Sequence, residues 1–171
     1  AICTAIVQFL LIRNPLDANN ALLWLTGSLY GHNIVNFYSL LPWFIITVPI
    51  VLLLGYQLDI LNLGDQLAIA LGAKVKGLKM TLLILSVVLA GASISVVGGI
   101  SFLGLIAPHI ARSIVGQRYL HIVLMSGLIG AALILFSDAL ARGIHPPLDI
   151  PVGVIIAIIG VPYFLFLLKK L

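Results

Sequence analysis

The stretch LKMTLLILSVVLAGASISVV, Leu78 to Val97, carries a single charged residue, Lys79, along its whole length. Two glycines, Gly98 and Gly99, separate it from a second apolar run, ISFLGLIAPHIARSIV, Ile100 to Val115. A helix that crosses a bilayer needs roughly 20 apolar residues, which the first run supplies. Unpaired backbone groups are not tolerated in lipid, so membrane-spanning chain is either helical or a closed barrel. Neither run shows the alternation of a barrel strand. Both therefore read as α-helices, and the glycine pair predicts a sharp reversal between them.

Apolar segments recur on both sides, at about 1–12, 38–56, 120–141 and 151–168. Of 171 residues, 62% are hydrophobic and 8% charged, against roughly 25% charged in an ordinary soluble domain. A soluble fold of this length cannot hide so much apolar surface, whereas a bilayer makes lipid the solvent. The sequence is that of an all-α polytopic membrane protein with about six transmembrane segments. The run Ala1 to Ile12 is too short to span unaided and lacks the basic flank of a signal peptide. It reads as the truncated end of a helix that begins earlier, which predicts the C-terminal part of a longer protein, with residues 1–171 forming one transmembrane domain.

The net charge of +4 does not point to nucleic acid, because the basic residues sit singly or in small groups between apolar runs. With the C-terminus inside, Lys74, Lys76, Lys79, Arg112, Arg118, Lys169 and Lys170 are cytoplasmic and only Arg13 and Arg142 lie outside. That distribution satisfies the positive-inside rule. Tyr30, Trp43, Tyr56, Tyr119 and Tyr163 fall near span ends, where aromatic rings favour the interface. Cys3 is the only cysteine, so no internal disulfide or cysteine cluster for a metal exists.

Two connections are long. Asp17 to Gly31 (DANNALLWLTGSLYG) is external and semi-apolar, consistent with a short helix near the surface. The cytoplasmic stretch 57–77 (QLDILNLGDQLAIALGAKVKG) holds DQLAIAL between Gly64 and Gly72. This predicts a short helix with Asp65 near its start, where a carboxylate suits the helix dipole. Leu67, Ile69, Ala70 and Leu71 are too apolar for a merely solvated loop. The segment is either an interfacial helix on lipid headgroups or a docking element for a cytoplasmic partner. Ser126 with Gly130, Gly127 with Ala131 and Gly153 with Ala157 are small pairs at the spacing that lets helices approach closely.

The run GGISFLGLIAPHIARSIVG, Gly98 to Gly116, resembles the permease subunits of ABC importers for iron-siderophores, haem and vitamin B12, the FecCD-type or type II importers. WLTGSLYG (24–31) is similar to that family's W-L-x-G-S segment, and NLGDQLAIALGAKV (62–75) to its cytoplasmic coupling loop. DALARGIHPPLDIPVGVIIAIIGVPYFLFLL (138–168) looks like its final hairpin. Such permeases have about ten spans of roughly 20 residues each, so the resemblance makes this chain the C-terminal half. It implies a bacterial plasma (inner) membrane protein, multi-pass with a cytoplasmic C-terminus. The implied partners are a second permease chain in a homo- or heterodimer, a cytoplasmic ATP-binding subunit and an external substrate-binding protein. GAKVKG (72–77) is not a G-x-x-x-x-G-K-[ST] phosphate loop. No catalytic residue or cofactor is therefore expected in this chain, and ATP and Mg belong to the partner ATPase. Gly64, Asp65, Ala70, Leu71 and Gly72 become the ATPase-coupling loop, and Gly98, Gly99, Gly104, Pro108, His109 and Arg112 the family signature.

Individual residues admit more than one role. Pro108 and His109 lie within a span, where an ionisable group is a functional candidate. No Cys, Asp or second His stands at ligand spacing, so no metal site is expected; Pro108 should kink the helix, His109 bond a freed carbonyl and Arg112 anchor at the inner interface. Asp138 and Arg142, four apart, share a helix face and can pair as a structural ion pair. In the resembled family an arginine nine residues before the proline that opens the last span helps to dock the binding protein. Arg142 stands nine before Pro151, which carries that role to it. The competing function is half of an ion-coupled secondary transporter, which would want intramembrane acids and a broken helix; Asp138 is the only acid well inside an apolar run.

Overall fold

Pro42 and Pro49 lie inside the first long helix, α1 (Ile34–Leu53), without ending it. Each proline removes one backbone donor, which frees the carbonyl four residues earlier, a loss that membrane helices tolerate; separately, the buried Thr47 hydroxyl donates to the carbonyl of Trp43. The computed structural model describes residues 21, 23–29, 31–100, 102–144 and 150–170, and the elements among them are all helical. After α1 come α2 (Gly55–Asn62), α3 (Asp65–Ala70), α4 (Val75–Val97), α5 (Leu103–Val115), α6 (Tyr119–Ile144) and α7 (Val152–Lys170). The expected apolar segment over 1–12, with Cys3 and Arg13, lies outside the described residues, as do Tyr30 and the turn from His145 to Asp149.

By length and composition, three described helices suffice to cross a membrane: α1, α4 and α6. α5 has 13 residues, which at 1.5 Å each is about 20 Å, short of the roughly 30 Å hydrocarbon core. The helix of the 100–115 segment begins only at Leu103, because Phe102 stands in the left-handed region at φ +66. The 57–77 stretch, expected as a loop with one short helix, holds α3 and most of α2.

α5 packs most extensively on α6, α1 on α4, and α6 on α7. Gly116, at φ +78, makes the tight turn from α5 to α6. The apolar core consists of Ala141 on α6 with Val152, Ile155 and Ile156 on α7, closed by Leu29, Ile100, Leu103, Ile134 and Ile150. Gly130 faces Ala107 of α5, where a Cβ would stand 3.8 Å away, but Gly127 has nothing within 4 Å. The tight α5–α7 approach is at Gly160, whose Cβ would lie 2.8 Å from Ile106 Cδ1 and 2.9 Å from Phe102 Cβ. α4 buries no residue at all, as a helix surrounded by lipid or by further protein would.

Candidate functional site

The helices place their charge unevenly. Lys74, Lys76 and Lys79 at the start of α4, Arg112 in the last turn of α5, Arg118 before α6 and Lys169 at the end of α7 gather at one end of the bundle. Arg142 stands in the last turn of α6, at the opposite end.

At the basic end, α3 owes its limits to two glycines. Gly64 (φ +102) precedes it and Gly72 (φ +85) follows it, both in conformations that L side chains rarely adopt. At the C-terminus, Ala73 N donates to Ala68 O and Gly72 N to Ile69 O, the paired bonds of a Schellman motif with glycine at its left-handed position. Asp65, the first residue of α3, makes no capping bond; both its oxygens accept from Lys79 Nζ, at 2.6 and 2.8 Å. Both side chains are half exposed, so the pair is worth about 0–1 kcal/mol and serves to orient α3 on α4. α3 buries Ala68 and leaves Leu67, Ile69 and Leu71 exposed at 57%, 62% and 65%. Ala70 is exposed beside them. A cleft of about 650 Å³ opens between the α1–α2 junction and the α3–α4 turn, lined by Tyr56, Gln57, Ile60, Leu71, Lys74 and Leu78 among others.

One residue at this end was not singled out in the sequence. Asp59 on α2 accepts a 2.8 Å hydrogen bond from the backbone N–H of Tyr119, the first residue of α6. The N-cap position of α6 is held by Arg118, whose carbonyl accepts from Ile122 N, and arginine cannot cap. Asp59 therefore satisfies an orphan donor of a helix whose start lies sixty residues downstream. No local spacing encodes this. Nearby, Arg112 lines a small polar cleft with Asn62, Gln117 and Tyr119.

On α5, the carbonyl bond expected of His109 is not seen among the described residues. Pro108 sits inside the helix, but His109 is exposed and makes no hydrogen bond among the described residues. Its ring meets Tyr163 of α7 edge-on, with centroids 6.1 Å apart. Gly104 has nothing within 4 Å of its missing side chain and lines a groove with Pro108, His109 and Arg112. Among the described residues no group of three His, Cys, Asp or Glu could hold a metal.

At the opposite end, residues 23–26 are helical and Trp24 and Leu25 stay half exposed, as a short helix near the surface would be, yet the backbone of 24–28 is tied to the bundle. Ser28 N donates to Val97 O at 3.2 Å, Gly99 N to Trp24 O at 3.2 Å and Gly153 N to Gly27 O at 3.0 Å. His32 Nε2 bonds Val96 O. A Cβ at Gly98 would collide with the Trp24 carbonyl and one at Gly153 with that of Thr26. The segment is thus wedged, backbone to backbone, between the α4–α5 turn and the start of α7. Gly153 serves this contact and not the helix pairing expected with Ala157. Asp138 and Arg142 form their ion pair through Arg142 Nε and Asp138 Oδ2 at 2.9 Å, with Arg142 61% exposed and Asp138 22%.

The family model of the FecCD transport family matches residues 1–170. The Fe(3+)-citrate import system permease protein YfmE of Bacillus subtilis is 47% identical over 169 residues, covering 99% of this chain and 51% of that protein. The Fe(3+) dicitrate transport system permease protein FecD of Escherichia coli is 42% identical over 167 residues, 98% of this chain and 52% of its own. A solved structure described as an inward-facing conformation of a metal-chelate type ABC transporter superposes with TM-score 0.82 at 31% identity, over 90% of this chain and 51% of that one. The chain spans about half the length of the relatives it matches. A helical, multi-pass membrane protein with its two glycine-set ends as described, it belongs to the FecCD transport family.

Proposed function

We propose that this chain supplies part of the translocation path of an ATP-driven importer for an iron chelate such as iron-citrate or an iron-siderophore, or else for haem or cobalamin, and couples it to a cytoplasmic ATPase. The observation that carries the reading is α3, a short helix beyond the ends of α1 and α4 that turns Leu67, Ile69 and Leu71 outward while its glycine brackets and the Asp65–Lys79 pair hold it in place. An apolar knob beside a 650 Å³ cleft suits insertion into a groove of a partner protein. The basic end is then cytoplasmic, as the positive-inside rule asks. The ATP-binding subunit would carry ATP and magnesium, a second permease chain would complete the path, and an external binding protein would deliver the chelate at the Arg142 end. Iron(3+)-citrate in the names of similar permeases supports the substrate class. The ion-coupled alternative loses its one candidate acid, because Asp138 is paired with Arg142.

The test is Leu71→Asp in the full-length permease. A charge forced into an apolar contact without a partner costs several kcal/mol, roughly 3–5 at a buried site. Insertion should be normal while co-purification of the ATPase and ATP-dependent uptake fall at least about tenfold. Undiminished co-purification and uptake would make α3 an interfacial helix only.

A further inference from the structure

α3 is attached to the bundle by two routes of unequal strength. Toward α4, the side-chain tie among the described residues is the Asp65–Lys79 pair, with both side chains half exposed and open to screening. Toward α6, α3 continues through the Gly64 turn into α2, and α2 is pinned at two points. Gly55 is buried against Leu120, where a Cβ would approach Leu120 Cδ1 to 3.3 Å. One helical turn on, the Asp59 carboxylate takes the N–H of Tyr119 in a part-buried bond. A carboxylate at a helix N-terminus gains from the dipole as well as from the bond, so this contact is stronger than a neutral one. α6 has no cap of its own type at Arg118, which leaves its start dependent on α2. It then runs 26 residues to the far end of the bundle, where it carries Asp138 and Arg142.

We propose that Asp59 is a positioning residue for transport: it fastens α2 to the N-terminus of α6, so that a displacement of α3 is delivered to α6 and hence to the opposite end of the bundle. The inference rests on the reading of α3 as the ATPase-docking element. Asp59 touches neither cargo nor nucleotide; it acts through the backbone of Tyr119.

The test uses the full-length permease, assembled with its ATPase and binding protein in lipid vesicles. Asp59→Ala removes the acceptor, and Tyr119→Pro removes the donor at a helix position that tolerates proline. In both variants the ATPase should co-purify and basal ATP hydrolysis should persist. The increment in hydrolysis caused by loaded binding protein, and uptake itself, should fall about tenfold. The double variant should be no worse than either single one. Asp59→Asn, which keeps the acceptor, should recover most of the increment. Spin labels at Gln66 on α3 and Leu128 on α6 separate this claim from its premise. In wild type both should shift on ATP binding, and in Asp59→Ala only the α3 label. An α3 label that ignores ATP in wild type defeats the docking reading. Normal stimulation in Asp59→Ala, an α6 label that still moves there, or failure of both variants to assemble overturns the strut.

Discussion

Gly98 and Gly153 are small for reasons that involve no helix face. Each lets a carbonyl of the short helical stretch at 24–26 approach the backbone directly, and Gly98 also adopts φ +80. Alanine at Gly153 leaves the carbonyl of Thr26 nowhere to go, because the clash is with backbone and not with a flexible side chain tip. Overpacking of this kind costs about 1–3 kcal/mol. Gly153→Ala should therefore lower the melting temperature of the full-length permease, while Gly127→Ala, with nothing within 4 Å, should leave it near wild type. Equal melting of the two variants would mean that residues 24–28 are not wedged as described. Arg142 poses a different question at the same scale. It is paired to Asp138 yet 61% exposed, and a guanidinium bound through one nitrogen retains donors for a carboxylate on another protein. Arg142→Glu should weaken association with the binding protein, more at low salt than at high, with expression near normal. Normal docking at both salt concentrations would leave Arg142 as the structural mate of Asp138 alone.

At the scale of elements, the apolar runs were legible because a membrane helix writes its identity in uninterrupted hydrophobicity. The start of α6 at Tyr119 and of α7 at Val152 lie within a residue of where the runs begin. Gly64 and Gly72 announced the limits of α3 because positive φ is a local demand that glycine meets. What the sequence hid was of longer range. α2 reads as loop, since its YQLDILN mixes polar and apolar residues, and its order comes from contact with α6. Asp59 finds its partner sixty residues away, and WLTGS finds Gly98, Gly99 and Gly153 through backbone atoms that leave no pattern in the side chains. The start of α5 was hidden as well, because Phe102, apolar like its neighbours, stands in the left-handed region at φ +66 and delays the helix to Leu103.

For the whole molecule, the separation of charge carries the proposed orientation. A single cysteine at Lys76 should react with a membrane-impermeant reagent only from the cytoplasmic side, and one at Gly143 only from outside. Labelling of both from one side would contradict the topology on which the proposed partners of α3 and Arg142 lie on opposite sides. The central claim is that this family member couples chelate import to ATP through its basic end. The most direct measurement is uptake of iron(3+)-citrate into vesicles that hold the full-length permease, its ATPase and its binding protein. Uptake should require hydrolysable ATP on the side of Lys76, persist when ion gradients are collapsed, and be lost in Leu71→Asp with the permease still folded. Uptake that continues without ATP and stops when the gradients are collapsed would contradict the account.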